Sequence, residues 1–573
     1  MIRALRSSVL LLVLLLAPPV AVAQQVAISD LDRVHPAFGR QGMVASQEAE
    51  ATRIGLEVLQ NGGNAVDAAA TIAFVLAVTL PQAGNLGGGG FMVIYDADRG
   101  ETVAIDYREM SGAAAFRDMY LDEQGEADSE KSRYSGLAVG VPGTVAGMAL
   151  ALEKFGTISL AEALAPAIAL AEGGITVTPD LAQSLESSAE QLQKWPSSTE
   201  VFYNDGGEPY RPGETLVQAD LAKSMKLIAS DGASAFYGGP IGEKIVAEVA
   251  RAGGHLTMDD LSAYEALLRE PVRGTYRGFE IVSMPPPSSG GVHIVQILNT
   301  LEDVPIGELG PNSAATIHHM AEAMKYAYAD RSEYLGDPDF VDVPTLTLTS
   351  KDYAKEIRAR IDPDHAAAAA DIKPGDLAPY ESPDTTHFSV VDKDGNAVAN
   401  TYTINFGYGT GLVADGTGIL LNNELDDFSA KPGIPNAYGL IGGDANAVEA
   451  RKRPLSSMSP TLVLEDGRPF LVTGSPGGSR IITTTLQIIM NVIDHDMNIA
   501  EATLAPRIHH QWLPDELRIE EGISPDSMRM LEQKGHAVTV QEAMGSTQSI
   551  MVTEDGLFGS SDPRRPAALT LGY

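Results

Sequence analysis

The sequence predicts an α+β fold built in layers, and three features point to it. Past residue 384, Asp394-Gly395, Asp466-Gly467 and Asp555-Gly556 each stand between β-type runs, and Asp-Gly is a strong hairpin signal. Helical stretches at about 480–494 and 525–534 lie between the second and third hairpins. Near the start, a segment opened by Asn64 is apolar on every side from Ala68 to Leu80, which is the pattern of a helix covered all round. Hairpin strands combined with such helices stack as a sandwich.

In chain order, Arg3 and Arg6 precede an apolar run, Val9 to Ala17, closed by Pro18-Pro19 and by the small residues Ala21-Val22-Ala23. This is the pattern of a secretory signal peptide, too short to span a bilayer comfortably, with cleavage expected near Ala23. Residues 1–23 are therefore set apart from the fold. The segment 46–61 carries Ile54 and Val58 at helical spacing and stops at Asn61-Gly62-Gly63, a C-cap signal; Asn64 then caps the next helix. A strand is expected from Phe91, a turn at Asp98-Arg99-Gly100, and a strand over 102–105 that delivers Asp106-Tyr107-Arg108-Glu109. Residues 140–270 read as mostly helical with Gly and Pro punctuation. "MPPPSSGGVH" at 284–293 is a rigid proline run feeding a glycine-rich turn, helix resumes at 316–334, and 361–384 reads as loop.

Composition narrows the function. Lys and Arg number 40 against 76 Asp and Glu, a formal charge of −36. That field repels nucleic acid and anionic membrane, so neither is an expected partner. The chain has no cysteine, which excludes thiol nucleophiles and CxxC metal sites. His318-His319 and His509-His510 lack an HExxH frame, and adjacent residues face different sides of a helix, so each pair offers at most one ligand per face. No metal and no cofactor are expected. "GNLGGGGF" at 84–91 lacks both the P-loop Lys and the GxGxxG spacing; close packing of two backbones accounts for its glycines.

Two stretches carry candidate chemistry. "RPLSSMSP" and "TGSPGGSR" are serine-rich, but Ser456, Ser457 and Ser475 have no evident adjacent base; hydroxyls beside glycines suit a carboxylate or an oxyanion, with Gly477-Gly478 just ahead of a helix N-terminus. A plain strand-to-helix turn reads equally well there. "SPDTTHFSVVD" places Thr385 at a strand entry after a long loop. A Thr hydroxyl needs an adjacent base. Cleavage just before it would supply one, its own α-amine, whose reference pKa of about 7.7–8.0 suits proton transfer near neutrality. A β-branched pair that merely begins a strand is the other reading.

Longer strings resolve these alternatives by resemblance. "TTHFSVVDKDGNAVANTYTINFGYGTG", "GILLNNELDDFSAKPG", "KRPLSSMSPT", "TGSPGGSRIITT", "GGNAVDAA", "DYREM" and "AMGSTQSI" resemble γ-glutamyltranspeptidases, most closely the exported bacterial type, from about residue 36 to the C-terminus. The resemblance implies an αββα sandwich of the N-terminal nucleophile hydrolase kind. It implies a precursor that cuts itself between Asp384 and Thr385 into a large subunit, 24–384, and a small one, 385–573, paired as a heterodimer.

By the same resemblance Thr385 is the nucleophile and Thr403 its hydroxyl partner, and Gly477 and Gly478 form the oxyanion site. Arg108, Ser456 and Ser457 hold the donor's α-carboxylate; Asn405, Glu424 and Asp427 hold its α-ammonium. Some bacterial members carry Gln where Glu424 stands here. "SAKPGIPNAYGLIGGDANAV" is similar to the family's lid loop, with Tyr438 as the shielding tyrosine. The implied substrates are glutathione and other γ-glutamyl compounds, with water, amino acids or dipeptides as acceptors, in the periplasm or outside the cell and without a stable membrane anchor. The rivals are a cephalosporin (glutaryl) acylase-like amidohydrolase and a non-enzymatic binding protein for γ-glutamyl peptides.

Overall fold

The computed structural model describes residues 28–29, 32–372, 385–431 and 442–573. The leader, Asp384 and Tyr438 lie outside the described residues.

Local signals place the first helices. Glu48 accepts from the backbone N–H of Glu50 (3.0 Å) and Ala51 (2.9 Å) and so starts helix Ala49–Gln60, three residues later than the apolar spacing suggested; Asn61 ends it. Asn64 and Asp67 form a capping box at the head of Ala65–Thr79, and every residue of that helix is buried.

Two seven-stranded sheets form the middle of the molecule. The first runs, edge to edge, Leu569–Gly572, Met43–Ser46, Thr385–Val391, Ala397–Thr403, Gly89–Asp96, Glu101–Tyr107 and Leu267–Arg269. The second runs Ala37–Gly39, Gly556–Ser561, Gln548–Thr553, Arg468–Thr473, Thr461–Glu465, Phe279–Ser283 and Val272–Tyr276. Neighbours in both sheets are antiparallel. All three Asp-Gly signals mark hairpins; at the second, Asp466 (φ 49°) and Gly467 (φ 77°) are both left-handed, as a tight two-residue turn requires.

Strand alternation sorts the side chains into four layers. Met43, Ala45, Phe91 and Val93 of the first sheet meet Leu462, Val472 and Ile550 of the second. On the outer face of the first sheet, Val44, Ile94, Val390 and Val398 pack against helices Ala49–Gln60 and Ala65–Thr79. On the outer face of the second, Ile281, Val463 and Leu471 pack against Gly290–Leu301, Ala314–Tyr334 and Arg480–Ile493. The order is thus helix, sheet, sheet, helix. Both sheets mix strands from before and after position 384. Strand Thr385–Val391 lies between Met43–Ser46 and Ala397–Thr403, so the two halves share one core and cannot part without unfolding it.

Candidate active site

Thr385 opens its strand directly opposite Thr403, which closes the next one. Their hydroxyl oxygens are 3.3 Å apart, the Thr385 hydroxyl donating. Just past Thr403 the chain turns through Asn405, a left-handed residue (φ 75°), so that the Asn405 N–H donates back to Thr403 Oγ1 at 2.8 Å. The Asn405 amide in turn donates to the Asn423 carbonyl at 2.9 Å, tying this corner to the turn Glu424–Asp427. Close packing is what the GNLGGGGF glycines permit: a Cβ on Gly88 would stand 2.1 Å from the Thr403 carbonyl oxygen, and one on Gly87 2.0 Å from that of Leu420.

A cleft of about 300 Å³ empty volume opens against Thr385. Arg108, Thr403, Asn405, Glu424, Asp427, Ser456, Ser457 and Gly478 line it, together with Arg331, Met458 and Ile481. Residues separated by more than 300 positions therefore converge as the resemblance implied. Gly477 stands next to the lining, in a glycine-only conformation (φ 132°), followed by left-handed Gly478 (φ 55°) and helix Arg480–Ile493. That sequence of conformations leaves backbone N–H groups at a helix N-terminus, suited to a developing oxyanion.

The ionic anchors pair with one another in this state. The buried Arg108 guanidinium donates to Glu424 Oε1, to Asp427 Oδ2 at 2.5 Å and to the carbonyls of Pro454 (3.2 Å) and Leu455 (3.3 Å). Burial opposes its charge, but Glu424, Asp427 and Glu109 outweigh that and hold the guanidinium above its ordinary value. Burial pushes the Glu424 carboxyl up to about 7 against the pull of Arg108, and raises Asp427 as well. Glu109, absent from the sequence-based site, is fully buried with neither carboxyl oxygen hydrogen-bonded; burial and then the Glu424 charge raise it well above the carboxylate range.

The proline run has a purpose that its pattern did not reveal. The Ser456 N–H donates to the Pro287 carbonyl (2.8 Å), and the Ser289 N–H and hydroxyl both donate to the Ser456 carbonyl (2.9 and 2.8 Å). The stiff segment thereby braces the serine loop. Arg331 was also missed. It sits in the last turn of helix Ala314–Tyr334, where a cation reads as the partner of the helix dipole; only the packing turns it into the cleft.

The histidines come closer together than their spacing suggested. His318, Glu322 and His536 bring one ligand atom each within 4.8 Å of one another. Their needs are met in part locally, although His536 Nδ1 and Glu322 Oε1 have no hydrogen-bond partner among the described residues. His318 and His536 hydrogen-bond at 2.8 Å, and the Lys325 ammonium stands 2.8 Å from Glu322, so a resident cation already balances the carboxylate.

Four layers with a threonine heading a central strand define the N-terminal nucleophile hydrolase class. The γ-glutamyltranspeptidase family profile matches residues 51–571. The chain is 58% identical over 559 residues to the glutathione hydrolase proenzyme of Escherichia coli (strain K12), covering 97% of this chain and 95% of that protein. Among solved structures, cephalosporin acylase from Bacillus halodurans superposes with a TM-score of 0.80 at 27% identity, covering 95% of this chain and 97% of that one. The γ-glutamyltranspeptidase of Helicobacter pylori gives 0.56 at 47% identity over 57% of this chain and 93% of that one. This chain belongs to the γ-glutamyltranspeptidase family.

Proposed function

We propose that the chain is a self-processing γ-glutamyl hydrolase and transferase that degrades glutathione and related γ-glutamyl compounds. The observation that carries this is the position of Thr385, first in its strand, with its hydroxyl in a cleft that holds both a buried cation and buried carboxylates. A γ-glutamyl group ends in a zwitterion and needs both signs of charge.

In maturation the Thr385 hydroxyl attacks the Asp384 carbonyl, its proton passing to the departing amide nitrogen, and water then opens the ester. The freed α-amine becomes the base. In turnover it takes the hydroxyl proton as Oγ attacks the donor's γ-carbonyl. The Gly477 and Gly478 N–H groups receive the oxyanion, and the amine leaves with that proton. Water then releases glutamate from the Thr385 ester, or an amino acid or dipeptide releases a new γ-glutamyl product. Thr403 fixes Thr385. Ser456, Ser457 and Arg108 receive the α-carboxylate, and Asn405, Glu424 and Asp427 the α-ammonium. Tyr438 shields the site in this reading. Residues 1–23 direct export, with cleavage near Ala23 to yield subunits 24–384 and 385–573. Among the described residues no helix is long and apolar enough to cross a membrane.

The acylase alternative draws on the likeness to the Bacillus enzyme. A glutaryl group, however, has no ammonium, and would leave Glu424 and Asp427 facing the cleft without a counter-charge from the substrate.

Purified protein should run as two chains on a denaturing gel, the smaller beginning Thr-Thr-His-Phe. Thr385→Ala should give one uncut, folded chain. Rates on γ-glutamyl-p-nitroanilide should exceed those on glutaryl-7-aminocephalosporanic acid. An uncut wild-type chain that still turns over the anilide would sink the Thr385 mechanism.

A further inference from the structure

Among the described residues lining the cleft, Arg331 is the one ionisable group outside the site that the resemblance implied. Its side chain is buried, 5% exposed, and it lines the same pocket as Thr385. Its partners are neutral: Nε donates to Ser289 Oγ at 3.0 Å and Nη2 to Ser457 Oγ at 3.3 Å. Among the described residues no carboxylate stands within ion-pair distance of it, whereas Arg108 has three, Glu424 and Asp427 closely and Glu109 at 3.9 Å. A guanidinium has five N–H donors in a fork matched to a carboxylate. A cation buried among hydroxyls, with donors to spare, is costly unless something anionic arrives. Burial pulls the Arg331 guanidinium down to about 10, against the attraction of Tyr328 and Asp427.

Charge balance points the same way. Arg108 is committed to Glu424 and Asp427. A zwitterion that enters gives its ammonium to those carboxylates and its carboxylate to the cations. With Arg331 the formal charges of Arg108, Arg331, Glu424 and Asp427 cancel, matching a donor head of zero net charge; Glu109, 3.9 Å from Arg108, is pushed by burial and by Glu424 toward its neutral form and adds none. Without it the cleft is left with one excess negative charge beside the incoming carboxylate. Arg331 also grips both members of the serine loop, Ser457 directly and Ser456 through Ser289, whose hydroxyl donates to the Ser456 carbonyl.

We propose that Arg331 is a second cationic anchor for the donor's α-carboxylate, aiming the Ser457 hydroxyl at it and making the cleft selective for an α-amino acid head group. This rests on the γ-glutamyl reading above.

The test uses full-length, processed Arg331→Gln and Arg331→Lys, each first checked for two chains on a gel. With γ-glutamyl-p-nitroanilide, Arg331→Gln should raise KM about ten- to a hundredfold, as loss of a charge-assisted contact does, with kcat changed by less than about threefold. Arg331→Lys should recover a large part of the KM. Inhibition by L-glutamate should weaken in step with KM. Inhibition by 4-aminobutyrate, which has the amine but no α-carboxylate, should not move. A fall in kcat at constant KM, equal weakening of both inhibitors, or a Lys variant no better than Gln would each overturn the proposal. If neither variant is recovered processed, Ser289→Ala releases Nε and removes the hydroxyl bond to the Ser456 carbonyl, which the Ser289 N–H still holds, and should raise KM about threefold; an unchanged KM there overturns it too. Failure of the γ-glutamyl reading is separate, because the wild-type enzyme would then not turn over the anilide.

Discussion

Replacing Glu424 by Gln should remove a pH dependence from donor binding. The Glu424 carboxyl is 1% exposed and lies against Arg108 and against Glu109, whose oxygens accept no hydrogen bond among the described residues and whose nearest cation is Arg108 at 3.9 Å. Burial lifts it from 4.5 to about 7, which costs the ionised form about 3 kcal/mol. Only the carboxylate attracts the donor's ammonium, so affinity rises as pH climbs through 7. With that midpoint the group is about one-tenth ionised at pH 6 and about nine-tenths at pH 8, so KM should fall nearly tenfold across the interval. Gln cannot ionise: the variant's KM should be flat. At pH 8 it should be about tenfold above wild type, the ordinary worth of one charged hydrogen bond, because Asp427 and Asn405 still hold the ammonium. Under the proposed cleavage before Thr385, the new α-amine, with a reference value of about 7.7–8.0, should govern kcat rather than KM, and equally in both proteins. The assay is initial rate against γ-glutamyl-p-nitroanilide from pH 5.5 to 8.5 at constant ionic strength. A variant that keeps the wild-type slope, or a wild type without one, would refute the assignment of the ammonium to Glu424.

Two further outcomes follow from the packing around the nucleophile. A Cβ on Gly474 would lie 2.4 Å from His387 Cε1 and 2.5 Å from Nδ1; the ring is held by Thr401 (2.8 Å) and Ser389 (3.1 Å) and cannot yield freely. Gly474→Ala should therefore cost about 1–3 kcal/mol by overpacking and slow self-cleavage on a timed gel, with relief when His387→Ala is added; cleavage at the normal rate would contradict this. Thr403→Val keeps the shape but strands the Asn405 N–H and frees the Thr385 hydroxyl. It should lower kcat about ten- to a hundredfold with little change in KM, and an unaltered kcat would count against the pairing.

Much of the architecture was legible because its signals are local. The Asn64 cap, the Asp-Gly turns and the apolar helix each lie within a few residues, and local hydrogen bonding enforces them wherever the chain goes. The strings that carried the resemblance likewise named Thr385, Thr403 and most of the residues that the fold brings into one cleft with them. What escaped depends on contacts between distant segments. Arg331 looks like a helix-end cation until Ser289 and Ser457 are seen beside it. Glu109 looks like strand-end polarity until the layers close over it. The proline run has no meaning until Pro287 meets Ser456, and the separate histidines form one cluster only once helix Ala314–Tyr334 packs near His536.

Many of the elements and the family with its class of chemistry could be read from the chain alone, since they rest on side-chain identity and short-range spacing. Only the tertiary structure decided how the charges are apportioned. Arg108 is paired closely with Glu424 and Asp427 while Arg331, among the described residues, hydrogen-bonds only to hydroxyls, because two sheets and their helices bring together groups hundreds of residues apart in a buried space. In such a space the partner a charge finds, and not its own identity, sets what it can bind.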